Sequence, residues 1–107
     1  MNLLSIGGSD PSSGAGIQSD IKTFDSLNAY GLTIITTITS QNTSRFGIIE
    51  PVSKKILQNQ IDSIFSDFKI NGIKIGMVYN SDIIKTIYNE IKNINIPIVL
   101  DPVIKST

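Results

Sequence analysis

Leu3, Leu4 and Ile6 form a short apolar run that stops at Gly7-Gly8, the pattern of a buried strand ending in a turn. Ile17, Ile21, Phe24 and Leu27 then recur at spacings of four, three and three, one face of a helix that closes before Gly31. The stretch LTIITTIT, Leu32 to Thr39, is β-branched almost throughout and predicts a second strand. Ser40 to Pro51 begins polar and turns apolar at Ile48 and Ile49, where a short extended piece fits. Leu57, Ile61, Ile64, Phe65 and Phe68 share one helical stripe, and GIKIGMV from Gly72 predicts a third strand. Ile84, Ile87, Tyr88 and Ile91 predict a third helix, with Asn80 or Ser81 as its N-cap. IPIVL, Ile96 to Leu100, predicts a fourth strand that runs straight into Asp101-Pro102.

Strands alternating with helices imply right-handed βαβ crossovers, a parallel sheet and helices on its faces. The expected fold class is therefore α/β, with about four strands and three helices in three layers, as a single unit over residues 1–107. The fourth strand is too apolar to stand at an open edge, yet only seven residues come after it. Either a partner chain covers it or the sequence is the front part of something longer, and the second is the preferred expectation.

Charge and composition narrow the chemistry by exclusion. Nine Lys and Arg balance nine Asp and Glu, which gives no electrostatic reason to expect nucleic acid or an anionic membrane as partner. Cysteine and histidine are absent, so disulfides, thiolate metal sites, a thiol nucleophile and a serine–histidine triad are ruled out within these residues. MNLLSIGG is too short in apolar length and too poor in basic charge for a signal peptide, and no segment reaches the length of a bilayer span. A cytoplasmic protein that binds a small molecule is the expectation.

The polar clusters fall at the carboxyl ends of the predicted strands, where parallel sheets bind ligands. Four of the eight glycines lie between Ser5 and Asp20. Gly8 and Gly14 do not satisfy the P-loop spacing, and no lysine follows Gly14. Gly14-Ala15-Gly16 is followed by Ser19 where a dinucleotide fingerprint needs Gly or Ala. What remains is a loop that lets the main chain pass close to a ligand at a helix N-terminus. Gln41 and Asn42 carry amides that offer donor and acceptor together, suited to an aminopyrimidine or amide edge, although polar amides are also ordinary loop residues. Asp20 by itself reads as an acid complementing a helix dipole, Asp10 before Pro11 as a turn initiator, and Gly76 equally as a packing glycine or a ligand-side one.

IGGSDPSSGAGIQSDIKTF, YGLTIITTITSQNT, QIDSIFSDFKINGIKIGMV and IPIVLDPV together resemble the amino-terminal half of hydroxymethylpyrimidine/phosphomethylpyrimidine kinases, a ribokinase-like family of thiamine biosynthesis. The resemblance runs over essentially the whole chain. It implies ATP-dependent phosphorylation of 4-amino-5-hydroxymethyl-2-methylpyrimidine and then of its monophosphate, with Mg2+. Within it, Gln41 of QNT pairs with the pyrimidine edge and Asp20 lies at the substrate's polar end. Gly8 brings the main chain close, Met77 and Val103 give apolar contact to the ring, and Asp101 sits near the phosphate and magnesium region. Ser13 stands where the family commonly has glycine and Ser19 where alanine is usual. The resemblance puts the catalytic base and the main ATP contacts in a carboxyl-terminal half, so no catalytic residue is assigned within 1–107. These residues alone are expected to be inactive and poorly soluble. Relatives of this kind are commonly dimers, which the uncovered sheet edge would accommodate. The alternatives are a pyrimidine-binding module without catalysis and a kinase for pyridoxal or a related heterocycle.

Overall fold

The computed structural model describes residues 1–101, so Val103 lies outside the described residues. The elements are β1 (Asn2–Ser9), α1 (Gly16–Ser26), β2 (Tyr30–Gln41), β3 (Phe46–Pro51), α2 (Lys54–Asp67), β4 (Gly72–Ile75), α3 (Ser81–Ile91) and β5 (Ile98–Leu100). They form one sheet in the order β3-β2-β1-β4-β5, so the first strand lies at its centre. β1 pairs in parallel with β2 and β4, and β4 in parallel with β5. β3 runs antiparallel to β2, opposite Thr37 to Gln41. The sheet is thus mixed and five-stranded rather than parallel and four-stranded. The extra strand is the Ile48–Ile49 region, whose short connection from β2 permits only an antiparallel return.

Alternation along the strands divides the sheet into two faces. Leu4, Ile6, Leu32, Ile34, Ile73 and Ile75 point to the side of α2 and α3 and are almost fully buried. Leu57 and Ile61 of α2 and Ile83, Ile87 and Ile91 of α3 close this core. Each such side chain contributes about 1.5–3 kcal/mol of transfer free energy. Both helices start where sequence chemistry satisfies their first amides. Ser53 Oγ accepts from Ile56 N at 3.2 Å, and Asn80 Oδ1 accepts from Ile83 N at 2.9 Å. The other face carries α1, held by Ile17 and Phe24.

Three expected burials do not occur. Leu27 is the C-cap of α1 and is 67% exposed, because the chain leaves the helix there through Asn28 in a left-handed conformation, φ 61°. Ile84 and Tyr88 of α3 are exposed, since the helix is apolar over two stripes and only the one through Ile83 meets the core. The second stripe borders an open groove of about 400 Å3 that Ile75, Ile98 and Leu100 also line. All three residues of β5 are exposed. Among the described residues no helix is long and apolar enough to cross a membrane.

Candidate functional site

A cleft of about 260 Å3 opens where the carboxyl ends of β1, β2, β4 and β5 meet the N-terminus of α1. Its shape begins with a bulge. The β1–β2 register slips between Gly7 and Gly8, so that Gly7 faces Ile35 but Gly8 faces Thr37. Such a bulge turns the strand and re-aims the residues beyond it. Thr36 and Thr37 are both fully buried there, and Thr36 Oγ1 donates to the Met77 carbonyl at 2.8 Å, tying β2 to the segment after β4.

Asp10 organises the glycine-rich loop. Its Oδ1 accepts from Ser12 N at 2.9 Å and Ser12 Oγ at 2.6 Å, and its Oδ2 accepts from Ala15 N at 2.9 Å. The side chain is 4% exposed. The Ser12 hydroxyl, with the Ser12, Ala15 and Gly14 amides, holds its carboxyl below the ordinary range against burial, which acts the other way. The protein's own carboxylate therefore already sits inside this loop, just ahead of α1, where it takes the amide of the N-cap Ala15. That is a physical reason, beyond failed spacing, why this loop is not a phosphate loop. Gly16 has φ 65°, and a Cβ there would stand 2.4 Å from the Gly8 carbonyl, so only glycine fits. Ser13 adopts the same left-handed region, φ 65°, which explains why glycine suits that position.

A polar chain crosses from helix to sheet. Asp10 N donates to Gln18 Oε1 and Gln18 Nε2 donates to Ser9 Oγ, both at 2.8 Å. Thr39 Oγ1 donates to the Ser9 carbonyl at 2.7 Å, and Gln41 Nε2 donates to Thr39 Oγ1 at 2.9 Å. Gln41 is thereby held half-buried at the cleft wall through Thr39.

Asp20 lies in the second turn of α1 and not in the first, so it does not serve as a first-turn dipole partner. Its Oδ2 accepts from Ser5 Oγ at 2.7 Å, and its Oδ1 pairs with Lys74 Nζ at 2.5 Å. Gly8 stands against Met77, where an added Cβ would come within 3.1 Å of Sδ. Gly76 is not a packing glycine, since an added Cβ there would meet only the Ile6 carbonyl, at 3.9 Å.

Five of the six positions that the resemblance implies, Gly8, Asp20, Gln41, Met77 and Asp101, line this one cleft, whereas Asn42 is exposed and does not. Lys74, Gln18 and Thr39 escape sequence reasoning. For Lys74 a signal exists, a lysine between two isoleucines in GIKIG, but it reads equally as a solvated strand face.

Mg2+ is commonly held by one or two carboxylates together with phosphates and water. Among the described residues no cluster of three or more acidic groups could hold a metal alone. Asp10 and Asp20 are engaged by the donors above, which leaves the exposed Asp101 as the carboxylate that suits a metal–phosphate contact.

A family model described as phosphomethylpyrimidine kinase matches residues 10–107. A hydroxymethylpyrimidine/phosphomethylpyrimidine kinase of Rhizobium meliloti is 44% identical over 104 residues, 97% of this chain and 39% of that protein. Its counterpart in Escherichia coli is 41% identical over 96% of this chain and 39% of its own length. The chain thus spans about two fifths of the curated relatives it matches. A crystal structure of phosphomethylpyrimidine kinase from Clostridium difficile superposes with a TM-score of 0.92 at 44% identity, covering 96% of this chain and 48% of that one. Pyridoxal kinase from Staphylococcus aureus in complex with pyridoxal gives 0.86 at 32% identity, covering 97% and 40%.

Proposed function

The chain belongs to the phosphomethylpyrimidine kinase family, and from that premise we propose that it supplies the pyrimidine site of an ATP-dependent kinase. The substrates are 4-amino-5-hydroxymethyl-2-methylpyrimidine and then its monophosphate. The observation that carries this reading is the convergence of Gly8, Asp20, Gln41, Met77 and Asp101 on a single cleft. A volume of about 260 Å3 suits one substituted six-membered ring, near the lower end of ordinary ligand pockets.

The ring lies along the Gly8 main chain with Met77 beside it, a flat apolar wall without a side chain in the way. Gln41 spends one amide hydrogen on Thr39, and its second hydrogen and Oε1 read the donor–acceptor edge of the aminopyrimidine. The hydroxymethyl arm points toward Asp20, and Asp101 faces the incoming metal–phosphate group. ATP supplies the phosphoryl group. These residues contribute the positioning of the acceptor, the larger part of what phosphoryl transfer asks of a protein.

Calorimetric titration with the pyrimidine tests this. Gln41→Ala should weaken binding by roughly tenfold, since it leaves a polar ring edge unpaired. Unchanged affinity would remove the physical basis of the assignment. Binding without ATP turnover by the full protein would leave a binding module in place of a kinase.

A further inference from the structure

Lys74 is the one cationic side chain lining the cleft among the described residues, alongside the carboxylates of Asp10, Asp20 and Asp101. A cleft charged in this way accommodates a neutral heterocyclic alcohol. A phosphate monoester of the same ring would meet repulsion from Asp20 and Asp101 unless a cation faces it. The glycine-rich loop cannot help with a cation, because Gly7 to Gly16 contains no Lys or Arg and its Asp10 carboxylate adds a further negative charge.

The strand order sets where the anion would sit. Along the rim the sequence is β2 with Gln41, β1 with Gly8, β4 with Lys74 and followed by Met77, then β5 followed by Asp101. Adjacent strands lie about 4.8 Å apart. A ring whose edge meets Gln41 therefore projects its substituent over β4, to Lys74. That side chain is 32% exposed, and its register partners are Ser5 on β1 and Val99 on β5. Its ammonium rests on Asp20 in a partly buried contact, and with three donors it can turn one or more toward a new acceptor.

On the reading proposed above, we infer that Lys74 is a specificity-determining residue that admits the phosphate monoester. With the alcohol bound, Lys74 stays on Asp20 and neutralises it. With the monoester bound, its ammonium bridges the Asp20 carboxylate and the phosphate oxygens, and the cleft accepts both substrates without rearranging its backbone.

The test is calorimetry on the full chain with the pyrimidine alcohol and, separately, its monophosphate. Lys74→Met should lower monophosphate affinity at least about tenfold more than it lowers alcohol affinity, and Lys74→Arg should retain monophosphate binding. An unchanged far-ultraviolet circular dichroism spectrum shows that Lys74→Met is folded. Equal weakening of both ligands would reduce Lys74 to a support for Asp20 and overturn the inference, as would no change in either. If the unmodified protein binds neither ligand, the pyrimidine reading itself falls. A second measurement needs no variant. Amine acylation followed by mass spectrometry should show Lys74 protected by the monophosphate and not by the alcohol, and equal labelling in both would overturn the inference.

Discussion

Leu4, Ile6, Ile34 and Ile75 face α2 and α3, whereas Ser5, Gly7, Lys74 and Gly76, their neighbours in the strands, belong to the side that carries α1 and the cleft. The first set is closed on itself by the stripes of two helices. The second is thinly covered, with Ile17 and Phe24 as the buried apolar residues of α1 and with polar groups satisfied by one another. A strand's two-residue period thus lets the same strands carry cohesion on one side and recognition on the other. Substitutions on the two sides should separate cleanly into effects on stability and effects on binding.

The largest effect tests the apolar side. Ile34→Ala, at a fully buried position, should lower unfolding free energy by about 2–5 kcal/mol, read from the urea midpoint. A loss under about 1 kcal/mol would mean that this side is not the stabilising one. On the cleft side, Gly16→Ala should cost about 1–3 kcal/mol and abolish tight pyrimidine binding, because its Cβ collides with the Gly8 carbonyl at a positive φ. A variant that bound normally would show the loop to be dispensable.

Asp10→Asn sharpens the contrast through pH. The folded pKa of Asp10 is depressed, so its stabilisation is complete above the ordinary carboxylate value and is lost as pH falls through the depressed one. The variant should melt lower at neutral pH, and its melting temperature should fall less on acidification. Parallel pH profiles for the two proteins would contradict this. The smallest change runs the other way. Ser13→Gly relieves a left-handed serine and should raise stability by up to about 1 kcal/mol without altering pyrimidine affinity.

Much of this division is legible in the sequence, since the alternation in LLSIGG and the stripe Leu57, Ile61 and Ile64 are local patterns with fixed periods. The strand-end clusters likewise point to one rim because parallel topology leaves little freedom there. What stays hidden depends on partners distant in sequence. Lys74 meets Asp20 across 54 positions, and Gln41 is braced through Thr39 and Ser9. Asp10 reads as a turn initiator because the donors that will reach a carboxylate cannot be counted from composition. The antiparallel direction of β3 comes from loop length and not from its residues, and the second apolar stripe of α3 obscures which side of that helix is buried.

The central place of β1 in the sheet has a kinetic corollary. One flank of that strand is completed by residues 30–38, but the other waits until residues 3–6 find residues 72–75, and contacts of such separation slow folding. The glycine-rich turn and Met77 therefore come together only after the intervening chain has collapsed, and acquisition of pyrimidine affinity during refolding should lag the appearance of helical signal.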